Sequence, residues 1–164
     1  MRQFLVALAL LAPLPAFAQT GPVPLGTDGG KFGDWTAAMY GSGDSRACYA
    51  FTTAAASSVN IPNRGQVLLT VTERPNAHDE VTIAAGYTFP AKAVVSLTSN
   101  GSTVTFYTKG GTAFTTNGDD AITAFEQGST ASSTMSMPGG GTVTDNFSLA
   151  GFSDAYSAIT AECP

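Results

Sequence analysis

The sequence predicts a mainly β domain, an antiparallel β-sandwich or partly closed barrel of about eight strands with two short helices. Three observations carry that prediction. Short stretches rich in Val, Thr, Ile, Tyr and Phe alternate apolar and polar residues with a period of two. Clusters of Gly, Pro, Asn and Ser punctuate these stretches at short intervals. Only 12% of residues are charged, so surface polarity falls to Thr and Ser, which suit strands.

Each strand is read from its own alternation. Phe32 to Tyr40 is the first, followed by a Gly41-Ser42-Gly43-Asp44 turn. Ala47 to Thr53 returns beside it. Gln66 to Glu73 places Val67, Leu69 and Val71 on one face. Pro75-Asn76 opens a turn, and Glu80 to Ala85 alternates again through Val81 and Ile83. Ala93 to Thr98 and Thr103 to Thr108 flank Asn100-Gly101, a pair that favours a type I′ hairpin because both central residues need positive φ. Ser132 to Met137 and Thr142 to Leu149 flank Pro138-Gly139-Gly140-Gly141, and their apolar residues all fall on odd numbers.

Two segments have helical spacing. In 117–127, Asn117 or Asp119 is the expected cap, Ile122 and Phe125 share a face, and Gly128 is the expected stop. From Ser153 to Glu162, Ser153 is the expected N-cap. Tyr156, Ile159 and Cys163 recur at three- and four-residue spacing, which turns the cysteine inward.

The chain ends set the compartment. Arg2, the apolar run Phe4 to Leu14 and Ala16-Phe17-Ala18 form the three parts of a secretory signal peptide. The run falls short of the ~20 residues that span a bilayer. Cleavage is expected after Ala18, giving a periplasmic or secreted protein with no membrane span. Residues 19–31 are then a Pro/Gly-rich flexible arm, and residues 32–164 a single domain. Cys48 and Cys163 are the two cysteines. In an oxidising compartment they form one disulfide, fastening the C-terminus to an early strand.

Charge narrows the function. The net charge is −5 with no basic stripe, so nucleic acid is an unfavourable partner. His78 is the only histidine, in the loop Arg74-Pro75-Asn76-Ala77-His78-Asp79-Glu80. A nucleophile–histidine–acid site would have to use it. However, no serine stands in a nucleophile-elbow context and both cysteines are assigned to the bridge, so a solvated turn histidine is preferred. One histidine leaves too few soft ligands for zinc, and helix capping accounts for Asn117-Gly118-Asp119-Asp120 better than calcium does. No cofactor or metal is expected. Candidate ligand contacts are Trp35, Arg64 and Arg74. For Trp35, core packing beside the disulfide is preferred over a sugar-stacking platform. For the two arginines, loop-fixing pairs with Asp34, Glu73 or Asp145 are preferred over an anionic ligand.

Several stretches, taken in order, resemble the invasion-associated locus B family of α-proteobacterial envelope proteins. They are Phe32-Gly33-Asp34-Trp35-Thr36, Ala47-Cys48-Tyr49, Arg64-Gly65-Gln66-Val67 and Val71-Thr72-Glu73-Arg74-Pro75. The run Thr144-Asp145-Asn146-Phe147-Ser148-Leu149-Ala150-Gly151-Phe152 follows, then Ala155 and Cys163. Many members place a cysteine where this chain has Met39, so the resemblance is to the two-cysteine branch and carries over only the Cys48–Cys163 bridge. The resemblance implies a small exported β-rich protein, whose named founder is linked to host-cell invasion, and it supplies no catalytic residue set. The resulting expectation is a non-enzymatic envelope protein acting through a surface, ligand or partner, an envelope or host-surface protein for example. The alternative is a periplasmic small-ligand or glycan-binding module with an aromatic-lined groove.

Overall fold

The computed structural model describes residues 21–164. The signal-peptide reading of residues 1–18 lies outside the described residues. The chain is mainly β, with one antiparallel twelve-stranded sheet and two α-helices. The strands are β1 (Val23–Pro24), β2 (Lys31–Phe32), β3 (Trp35–Tyr40), β4 (Ala47–Thr53), β5 (Ala56–Ser57) and β6 (Leu68–Arg74). They continue with β7 (Ala77–Ala84), β8 (Val95–Ser99), β9 (Ser102–Lys109), β10 (Thr112–Thr115), β11 (Thr130–Ser136) and β12 (Thr142–Ser148). Helix α1 spans Gly118–Gln127 and α2 spans Phe152–Glu162.

The spatial order is β1-β3-β4-β6-β7-β10-β9-β8-β11-β12-β5, with β2 paired to β3. The sheet curls without closing. Its open side is crossed by the chain itself, because only Ala54 and Ala55 separate β4 from β5. Ala54 N–H still bonds Val67 O on the β6 side, whereas Ala55 N–H bonds Asn146 O on β12. Period-two alternation fills the interior with Leu69, Val71, Val81, Ile83, Val95, Leu97, Met135, Val143 and Phe147, all buried. The helices cover this core. Helix α2 lies against β3 and β4, and α1 lies against β7 and β9.

The expected Asn100-Gly101 hairpin forms with φ of 47° and 78° at the two turn residues, and Ser99 pairs with Ser102. Four differences from the sequence reading, beside the short added β5, bear on the architecture. First, β10 is an added strand. It sits between β7 and β9, so β8 is carried away from β7; its four residues are too short for alternation to mark. Second, the Phe32–Tyr40 strand is broken by a turn at Gly33-Asp34, across which Phe32 pairs with Trp35. Third, the 19–31 lead carries β1, where Val23 pairs with Met39 and Pro24 with Ala38. Fourth, α2 is capped by Gly151 in the left-handed region (φ 86°) rather than by Ser153, and no side chain caps it.

That last difference has a steric reason. At Gly151 a Cβ would collide with the Phe32 carbonyl. The two backbones approach closely there, and Asp34 N–H donates to Ala150 O at 3.0 Å. Only glycine combines this φ with this approach.

Candidate functional site

Three places collect polar or aromatic side chains with defined geometry. The first is a β-bulge. Thr72 pairs with Glu80 and Arg74 with Ala77, so Glu73 faces two residues, His78 and Asp79. Asp79 takes a positive φ of 53° within this bulge. His78 Nδ1 lies 2.8 Å from Glu73 Oε2, and Asp79 N–H donates to Glu73 Oε1 at 3.1 Å. From α2, the Tyr156 hydroxyl donates to Asp79 Oδ1 at 2.6 Å. Glu73 is buried while half of the His78 side chain reaches solvent. The sequence reading of a solvated turn histidine is therefore modified: His78 belongs to a strand and is held by a buried acid. Turn spacing did not show this, because the bulge shifts the register by one residue.

Electrostatics follow from the burial. Loss of solvent raises the Glu73 pKa above the ordinary glutamate range. The Asp79 N–H and the His78 hydrogen bond pull it partly back, and the Asp79 charge adds to the rise. Burial and the Asp79 carboxylate likewise push the Tyr156 phenol well above its usual value. The folded protein thus binds the Glu73 proton more tightly than the unfolded chain, and its stability falls as pH rises through the raised pKa. Glu73→Gln keeps the acceptor for Asp79 N–H and removes that charge. We expect the variant and the parent, both carrying His78→Asn, to melt together below about pH 4. Toward neutrality the Glu73→Gln protein should become the more stable by a few degrees in calorimetry. A gap that shrinks with rising pH would contradict this account.

The second place is the junction of the 58–67 loop with β12. Arg64 forks onto Asp145, with Nη1 to Oδ1 at 2.9 Å and Nη2 to Oδ2 at 2.7 Å, and its Nε donates to Ala85 O at 2.8 Å. Ser57 Oγ donates to the same carboxylate. The Tyr87 ring lies under the guanidinium at 5.2 Å. The side chains are 7% and 0% exposed. Among the three acids considered for Arg64, the structure selects Asp145. A cleft of about 560 Å³ opens beside the pair, lined by Thr53, Ser57, Val59, Asn60, Ile61 and Gln66 among others. Because Arg64 is already neutralised, this cleft offers no free cation to an anion.

The third is the surroundings of Trp35, which is fully buried. Its Nε1–H donates to Ser148 O at 3.0 Å, and its ring meets Phe152 edge-on at 4.9 Å. It presents no face to a sugar, so the stacking candidate gives way to core packing. Arg74 pairs with Glu80 on the surface, which was not among its considered partners. The two cysteines form the Cys48–Cys163 disulfide, with Cα atoms 5.9 Å apart. Among the described residues no cluster of His, Cys, Asp and Glu is arranged to hold a metal.

The stretches Phe32-Gly33-Asp34-Trp35 and Leu149-Ala150-Gly151-Phe152, far apart in the chain, are one packing unit in space. The sequence profile of the family described as Invasion associated locus B (IalB) protein matches residues 35–160. The chain belongs to the IalB family. A solved structure with the same fold is that of invasion associated protein B from Bartonella henselae. It matches at a TM-score of 0.55 and 18% identity, over 80% of this chain and 95% of that one. At that identity the likeness speaks for the IalB fold alone. No curated protein matches the sequence.

Proposed function

We propose that this IalB-family chain is an exported envelope protein that works by contact with a surface or partner rather than by catalysis. One observation carries the reading: the polar groups a reaction centre would recruit are committed to holding the fold. Arg64 and Asp145 neutralise each other, Glu73 holds His78 and the Asp79 backbone, and both cysteines are bridged. The bridge also favours a compartment outside the cytoplasm, since such bonds persist where thiols are oxidised. Among the described residues no helix is long and apolar enough to cross a membrane.

Crosslinking on intact cells, followed by fractionation, tests the reading. The expected product is a disulfide-bonded protein in the envelope or outside the cell, joined to an envelope or host-surface component. Recovery from the cytoplasm with two titratable thiols would overturn it. So would turnover on an ester or peptide panel that His78→Ala abolishes.

A further inference from the structure

The outward face of β9, β8, β11 and β12 is a regular array of seven Thr and Ser hydroxyls and one Asn amide. One row runs across the strands through Thr103, Thr98, Ser132 and Asn146, each paired in register with the next. A second row, two residues along, runs through Thr105, Ser96, Thr134 and Thr144. Strand geometry spaces neighbours in a row by about 4.8 Å and the rows by roughly 6.7 Å. All eight side chains are exposed or half-exposed, and their inward neighbours such as Leu97, Val104, Ala131 and Val143 are buried. Thr98 and Thr103 bond each other across the β8–β9 pair at 2.8 Å.

No charged side chain interrupts the rows. The only charges on these four strands are Lys109 at the far end of β9 and Asp145, which is buried against Arg64. Two features border the array at β9. Tyr107, 56% exposed, stacks on Phe114 with ring centres 5.4 Å apart. Further along the same β10 side of β9, a depression of about 260 Å³ gathers Thr103, Thr105, Asn117 and Asp120.

We propose that this face docks an uncharged polysaccharide. The inference rests on the contact reading above and names the chemistry of the contact. An array without a cation, on a chain of net charge −5, has nothing to offer phosphates, sulfates or anionic lipids. Protein interfaces draw their energy from buried Trp, Tyr and Arg, with Ser and Thr under-represented, which is the reverse of this composition. Neutral sugars supply what remains: hydroxyls that both donate and accept against the Thr and Ser rows, and an apolar ring face for Tyr107. Asn117 Nδ2 donates to Asp120 Oδ2 in the bordering depression, so this pair shapes the edge of the array and leaves the second carboxylate oxygen of Asp120 as an acceptor.

Co-sedimentation of the disulfide-bonded protein with microcrystalline cellulose, curdlan and cross-linked dextran is the test, with alginate beads as the anionic probe. The expected result is retention on at least one neutral polysaccharide that survives about 0.5 M salt. Thr105→Lys/Thr134→Lys should lower the retention about tenfold while the melting temperature holds. If the lysine pair disturbs folding, Thr105→Val/Thr134→Val removes the hydroxyls at similar volume and should give the same direction. Tyr107→Ala should weaken retention in the parent background. Absence of retention on all three neutral polysaccharides, salt-sensitive retention on alginate alone, or retention unchanged in both Thr pairs would overturn the proposal. Fractionating the same variants from cells separates the two claims. A parent protein absent from the envelope sinks the contact reading, whereas envelope association without polysaccharide retention sinks only this one.

Discussion

Replacing Cys48 and Cys163 by serine, or reducing the bridge, is expected to lower stability by about 4–5 kcal/mol. The bridge closes a loop of 115 positions, and the conformational entropy that the unfolded chain regains when that loop opens sets the figure. For a domain of this size it corresponds to a fall in melting temperature on the order of 10–20 °C. It is a large share of the ~5–15 kcal/mol that holds an ordinary domain together. The structure locates the consequence. Cys163 is the C-cap of α2 and its N–H bonds Ile159 O, while Cys48 lies in β4 opposite Met39 and Glu73. The neighbouring Arg46–Glu162 pair is 3.4 Å long and exposed, so it is a weak substitute tether. Thermal melts with and without reductant measure the loss. Proteolysis under reductant should start in α2. An unchanged melting temperature would mean that α2 is held by packing alone.

The second large effect concerns Arg64 and Asp145. Asp145→Ala leaves a buried guanidinium without its counter-charge, and Arg64→Ala leaves a buried carboxylate. Each should cost about 3–5 kcal/mol. The pair as a whole is worth far less, because desolvation of both ions offsets their attraction. Arg64→Met/Asp145→Leu should therefore recover most of the stability lost by either single change. A double-mutant cycle by urea unfolding reads the coupling directly. Additive losses, with the double variant worse than either single, would show that the two side chains act separately. Ser57 and the Ala85 carbonyl also lose a partner in these variants, so the 58–67 loop should become the first protease-sensitive site.

Much of this architecture was legible in the sequence because it is local. Alternation marked the strands, Asn100-Gly101 marked a hairpin, and the spacing of Tyr156, Ile159 and Cys163 marked α2 with its inward cysteine. What stayed hidden depends on register or on contacts between distant segments. The β10 strand is too short to alternate, and its place beside β7 follows from pairing rather than composition. His78 looked like a turn residue because a bulge cannot be seen in a spacing pattern. Gly151 outranks Ser153 as the start of α2 only because Phe32 packs against it from across the fold. The partner of Arg64 was one of three open choices, and 81 residues separate it from Asp145. The hydroxyl rows were equally invisible: each strand shows its own Thr and Ser, but only the register aligns them.

The passage of the chain from β4 to β5 has a kinetic consequence. Most neighbouring strands are joined by short turns and pair as soon as they are made, on a scale of microseconds for a hairpin. The β7–β10 and β8–β11 pairs reach further, and the most distant is β5 with β12, where Ser57 and Asp145 lie 88 residues apart. Pairings of such long contact order form slowly, in milliseconds to seconds. Until β12 docks, β5 and the strands on that border remain open templates for another copy of the chain. The rate of this last docking step therefore governs how prone a newly made molecule is to aggregate, and slowing it should lower yield before it changes the stability of the finished fold.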